Sequence, residues 1–151
     1  GPAKVRLLVA AAGQIEAEAR PLADGALPQP ARLGLARQPV SSADVWLYHK
    51  TTRREVYEAA RAGRPDCDEV ALWNERGELT EATASNLVLA LDGRAWTPRV
   101  SAGLLAGTLR AQLLAAGEIA ERTLTPEDLR RAESVWLINS VRGWQAARFV
   151  D

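Results

Sequence analysis

A lysine, a glutamate, a Gly-Thr pair and an Asn-Ser pair carry the chemistry this sequence has to offer. Lys50 stands in YHKTTRR, between the apolar run VWLY and a helical stretch. A lysine held against a structured junction loses hydration around its ammonium, so its pKa falls and its amine becomes a nucleophile toward carbonyls. The same position also suits a snorkelling or salt-bridged surface lysine, the reading that periodicity alone favours. Glu81 lies in LTEATASN, among strand-forming residues where a carboxylate is out of pattern. Buried there it needs a cationic or hydrogen-bonding partner; facing solvent it needs none. In GLLAGTLR, Gly107 and Thr108 fall near a helix start, where backbone N–H groups and the helix dipole converge on an anion. The segment lacks the Lys-Ser/Thr ending of a phosphate loop. Asn139, Ser140 and Arg142 close the most apolar run of the chain, a place where polar residues line a site or simply turn the backbone. His49, the only histidine, reads as a structural hydrogen-bonding residue.

The elements that must position these residues follow from hydrophobic period and turn chemistry. KVRLLVA (4–10) and IEAEARPL (15–22) flank Ala12-Gly13-Gln14 as a hairpin. ADGALPQPA is a connector and RLGLARQPV a further strand. VWLYHKT reads as a strand, and RREVYEAARA (53–62) as a helix with Val56, Ala59 and Ala60 inward and Gly63-Arg64-Pro65 ending it. EVALWNE with ELTEATA, and NLVLAL with RAWTP across Asp92-Gly93, read as two more hairpins. Residues 104–116 have a leucine pattern and stop at Gly117, which predicts a helix with a glycine cap. Thr125-Pro126-Glu127-Asp128 is a helix start with cap, N1 proline and acidic first turn. SVWLINSV is a buried strand, and WQAARFV a last one. The sum is a mixed α and β domain rich in hairpins.

Bulk composition narrows the function classes. The 151 residues, 47% hydrophobic and 25% charged, suffice for one domain with a real core. Nineteen basic and nineteen acidic side chains cancel, so no overall field points to nucleic acid or an anionic membrane. No apolar run approaches the roughly 20 residues of a spanning helix. The single Cys67 and single histidine favour a cytoplasmic protein without a metal site. The chain opens on Gly-Pro and contains no methionine, which points to a fragment or a processed chain.

The order HKTTRR, TEATASN, GLLAGTLR and INSVRGW after a TPEDL helix resembles the large domain of the class IV pyridoxal-phosphate enzymes, from about Val45 to Trp144. That family holds branched-chain and D-amino-acid aminotransferases and 4-amino-4-deoxychorismate lyases. YHKTTRREVYEAAR, DEVALWNERGELTEATASN and VWLINSVRGW look most like the lyase domain fused behind para-aminobenzoate synthase component I. The resemblance implies fold type IV, a hairpin-rich sheet or pseudo-barrel with flanking helices. It implies a remnant of a small N-terminal domain plus linker in residues 1–40 and a cofactor-binding large domain in residues 41–151. Lys50 matches the lysine that condenses with the cofactor aldehyde. Glu81 matches the carboxylate that pairs with the pyridine nitrogen. Thr108 and Leu109 match backbone amides that take the cofactor phosphate, and Ser140 a side chain beside them. Asn139, Arg142 and Asn86 fall near the cofactor.

The implied activity is elimination of pyruvate from aminodeoxychorismate to give p-aminobenzoate, with pyridoxal phosphate as cofactor and a homodimeric parent. Two alternatives stand beside it: a class IV aminotransferase acting on a branched-chain or D-amino acid, and a truncated domain serving only in binding or dimerisation. The sequence departs from the family pattern at Ala82, where many relatives have Gly, and at Ala106, where Pro is frequent. It also carries only about forty residues ahead of the large domain, where relatives have a whole small domain that supplies an arginine to the phosphate.

Overall fold

Backbone pairing in the computed structural model runs through residues 1–23 and 26–151, the described residues; Asp24 and Gly25, part of the expected connector, lie outside them. The first hairpin forms as its alternation predicts. Strands β1 (Ala3–Val9) and β2 (Ile15–Pro21) pair antiparallel, with Val9 opposite Ile15 and Gly13 at φ 86° in the turn. Strand period 2 puts Val5, Leu7 and Val9 on one face, and all three are well exposed.

The remaining strands make one eight-stranded mixed sheet in the order β5-β4-β3-β10-β9-β6-β7-β8. They are β3 (Ala31–Leu35), β4 (Glu69–Trp73), β5 (Leu79–Ala82), β6 (Asn86–Leu91), β7 (Arg94–Pro98), β8 (Ala120–Arg122), β9 (Ser134–Asn139) and β10 (Gly143–Phe149). The expected hairpins β4–β5 and β6–β7 are antiparallel, and β9 and β10 pair in the same way. Asp92 (φ 54°) and Gly93 (φ 71°) make the β6–β7 turn left-handed at both central positions, the geometry that matches strand twist.

The sheet curls. β5 is its first strand and β6 its sixth, yet only residues 83–85 separate them, and Ala82 N–H donates to Ser85 O at 2.8 Å. The two outer edges also approach: Leu79 N–H, on β5, donates to Leu124 O, just beyond β8, at 2.7 Å. Inside the curl pack Leu33, Ala71, Leu87, Leu89 and Leu137, all essentially without solvent contact. Parity sends their neighbours outward, where Val88 and Ile138 are covered by Leu113 of α2 (Thr108–Ala115). On another flank, Leu72 packs against Tyr57 of α1 (Glu55–Ala62). Helix α3 (Pro126–Arg131) has the full reciprocal cap between Thr125 and Asp128 that its sequence announces. This mixed α/β, curled-sheet architecture is the one that the resemblance implies.

Three local expectations change. VWLYHKT is not a strand: Val45–Tyr48 is a 3-10 turn, because Asp44 accepts from Trp46 N–H at 3.0 Å and Tyr48 Oη donates to Ser42 O at 2.8 Å, turning the chain to bury Leu47 alone. Helix α1 starts at Glu55, since Thr51 Oγ1 captures Arg53 N–H at 3.2 Å first. The helix expected from 104 begins only at Thr108; Gly103 at φ 98° ends a 3-10 turn, and Leu104 is buried ahead of the helix.

Candidate active site

Helix α1 follows Lys50 closely and presents a polar stripe to the β5–β6 end of the sheet. Arg54, Tyr57 and Arg61 recur at helical spacing. Arg54 Nη2 donates to Thr83 O at 2.5 Å, Tyr57 Oη to Glu81 Oε1 at 2.8 Å, and Arg61 Nη1 lies 3.4 Å from both Glu69 and Thr83. Tyr57, rather than Ala59, is the residue this helix buries. Glu69 in turn is fixed by Val70 N–H at 2.9 Å and by the Thr83 hydroxyl.

Glu81 is only 5% exposed. Burial pushes its carboxyl up to about 7, against the pull of the Tyr57 hydroxyl, the Leu105 N–H and the charges of Lys50 and Arg54. Asn86 Nδ2 stands 3.5 Å from Glu81 Oε2 and donates to Leu105 O at 2.8 Å. Gly107 passes so close to Asn86 Oδ1 that a Cβ there would collide with it. A glycine is needed here for space, not for conformation.

Gly107 caps α2 without a side chain, so the first N–H groups of that helix, Thr108 and Leu109 among them, have no acceptor within it. Thr108 Oγ1 and Ser140 Oγ share a short hydrogen bond, which sets the end of β9 beside the start of α2. Arg110 anchors the helix from below: almost fully buried, it donates to Pro98 O at 2.7 Å and pairs with Glu121 at 2.5 Å. Leu109 packs its side chain against the outer apolar cluster, leaving its backbone as the polar element. Asn139 Nδ2 donates to Ser85 Oγ at 2.9 Å, while its Oδ1 takes the N–H groups of Val141 and Arg142.

The residues named from sequence therefore converge in a ring of contacts: Tyr57 to Glu81, Glu81 to Asn86, Asn86 to the 105–107 segment, Thr108 to Ser140, and Asn139 back to Ser85. Lys50 joins through its field instead of a hydrogen bond. It keeps solvent contact, yet partial burial, then the cations Arg54, Lys4 and Arg6, hold its ammonium below the ordinary lysine range against the pull of Glu81. Lys4 and Arg6 belong to β1, so the first hairpin contributes to the field at Lys50. Arg142 reaches the same hairpin end through a 2.9 Å bond from Nη1 to Leu22 O. Arg54, Tyr57, Ser85 and the Leu105 backbone were not foreseen. The 3–4 spacing of Arg54, Tyr57 and Arg61 was the available signal for the first two.

Residues 2–149 match the sequence profile of the family Amino-transferase class IV. A Schizosaccharomyces pombe protein provisionally named an aminodeoxychorismate lyase is 33% identical over 148 residues, covering 93% of this chain and 64% of its own. The chain spans less than two thirds of the length of the curated relatives it matches. Among solved structures, a provisionally named amino-acid aminotransferase from Mesorhizobium loti superposes with a TM-score of 0.91 at 39% identity, over 98% of this chain and 73% of that one. The 4-amino-4-deoxychorismate lyase from Pseudomonas aeruginosa gives 0.69 at 28% identity, over 81% and 48%. The chain thus belongs to the class IV aminotransferase family, whose enzymes depend on pyridoxal phosphate.

Proposed function

We propose that this chain is the cofactor-binding part of a 4-amino-4-deoxychorismate lyase. The observation that carries the reading is the convergence, at one end of the curled sheet, of three donor sets that fit pyridoxal phosphate. Lys50 offers an amine of lowered basicity for the aldehyde. Glu81 offers a buried carboxylate with Oε1 already engaged. Thr108 and Leu109 N–H, with the Thr108 and Ser140 hydroxyls, offer donors for a phosphate at a helix N-terminus.

The bound cofactor supplies an electron sink for the carbon bearing the substrate amine. With the cofactor bound, Lys50 Nζ would take the proton from that carbon and return one as pyruvate leaves. Glu81 would keep the ring nitrogen protonated, and Asn86 and the Leu105 N–H hold Glu81. The α2 N-terminus and Ser140 would hold the phosphate. Asn139 and Arg142 support the 84–85 turn and the hairpin side of the site.

Residues 1–40 read as the remnant of a smaller domain with its linker. Within them β1–β2 stands outside the large sheet, whereas β3 is built into it. A homodimeric parent, fusion to para-aminobenzoate synthase component I and a cytoplasmic setting complete the proposal. No helix among the described residues is long and apolar enough to cross a membrane. The likeness to the Mesorhizobium loti protein supports a second reading, amino transfer. The full-length protein given aminodeoxychorismate separates the two: pyruvate release is expected, and efficient amino transfer to 2-oxo acids without pyruvate reverses the order.

A further inference from the structure

We propose that Tyr57 is a positioning residue for Glu81, occupying Oε1 so that Oε2, which Asn86 Nδ2 meets at the longer distance of 3.5 Å, is the oxygen that faces the ring nitrogen of the bound cofactor. The inference rests on the cofactor reading above and adds a residue to it. Tyr57 and Glu81 are both buried, and the 2.8 Å bond between them joins the helix after Lys50 to strand β5. The phenol has little freedom. The Arg54 guanidinium lies 4.7 Å from the ring centroid of Tyr57 and is itself tied to Thr83 O, so the helix grips the β5–β6 turn at two points.

The chemical type of the partner matters. A lysine or arginine in place of Tyr57 would neutralise Glu81 and compete with a protonated ring nitrogen for it. A phenol donates one hydrogen bond and brings no charge; burial and the nearby Glu81 push its own ionisation above the ordinary tyrosine range. The groups facing Glu81 are Tyr57 and Arg54 from α1, Lys50 ahead of it, Asn86 from β6 and the Leu105 N–H. Among these the Tyr57 bond and the Leu105 amide oppose burial most directly. Together they leave a carboxylate poised to share a proton near neutral pH instead of one that is permanently ionised or permanently neutral.

The test reads Glu81 itself in the apoprotein, by carbon-13 NMR of glutamate carboxyls with the Glu81→Gln spectrum for assignment. Tyr57→Phe keeps the ring and its stacking under Arg54, and the Glu81 midpoint is expected to rise by about one unit, the scale of one lost hydrogen bond to a charged group. In a Tyr48→Phe background, where Tyr57 is the remaining tyrosine, 3-fluorotyrosine is a stronger donor and is expected to lower the midpoint. An unmoved midpoint in both overturns the proposal, and the fluorinated protein decides the matter if the phenylalanine variant does not fold. A second readout compares binding of pyridoxal phosphate with an analogue carrying carbon in place of the ring nitrogen. Tyr57→Phe should cut the preference for the true cofactor about tenfold; equal weakening of both ligands assigns Tyr57 to the scaffold alone. Failure of the unsubstituted protein to bind either ligand counts against the cofactor reading, while the NMR midpoints still decide the Tyr57–Glu81 relation.

Discussion

Asn86 donates from Nδ2 to the backbone oxygen of Leu105 at 2.8 Å while its other amide atom, Oδ1, abuts Gly107. One side chain on β6 thereby fixes the segment that opens helix α2 and stands next to Glu81. The carboxylate end and the helix end of the site are held in register by this residue.

Gly107→Ala should break that register. The new methyl meets Asn86 Oδ1, and relief requires the amide to swing off Leu105. A loss of about 1–3 kcal/mol in unfolding free energy is expected, the usual cost of overpacking. In a double-mutant cycle by denaturant titration, Asn86→Ala should cost less in the alanine background than in the parent. Strict additivity would show that the two positions do not meet.

Glu81 should leave a signature in stability against pH. Its carboxyl is raised from 4.5 to about 7 on folding, so between those values the folded state binds more protons than the unfolded one. Stability contributed by this group therefore falls as pH rises through that window and levels off above it, by about 3 kcal/mol in all. Glu81→Gln removes the dependence. Unfolding free energies at pH 5 and pH 8 should differ less in the variant than in the parent; an equal difference in both would place the effect elsewhere.

On the proposed function, the hydrogen-bonded Thr108–Ser140 hydroxyl pair would hold the phosphate and not the ring. Ser140→Ala combined with Thr108→Val should weaken pyridoxal phosphate binding by about tenfold or more, since hydrogen bonds to charged groups are worth about 1.5–3 kcal/mol. Binding of pyridoxal, which lacks the phosphate, should change little. Comparable losses for both ligands would contradict the assignment.

Much of this arrangement was legible in the sequence, for identifiable reasons. The hairpins were readable because Asp92-Gly93 and the period-2 runs around it admit few other conformations, and α3 because Thr125, Pro126 and Asp128 occupy their capping positions. The segment before Lys50 was misread because four apolar residues in a row do not distinguish a strand from a turn that buries only Leu47; Asp44 and Ser42 decide it through local hydrogen bonds. Strand β8 went unseen: at three residues, two of them charged, it exists only because β7 lies alongside it in parallel. Glu81 was found through its chemistry, but its partner Tyr57 was hidden by a helix reading that counted only apolar residues as inward.

On the proposed function, Lys50 is the residue that would bind pyridoxal phosphate covalently. Adding the cofactor to the protein, reducing with borohydride and mapping the product by peptide mass spectrometry tests it directly. The expected result is a visible absorption band that reduction abolishes, a phosphopyridoxyl mass on the peptide containing Lys50, and loss of both in a folded Lys50→Ala variant. The same band and a label of equal extent in Lys50→Ala, carried on another lysine, would contradict it.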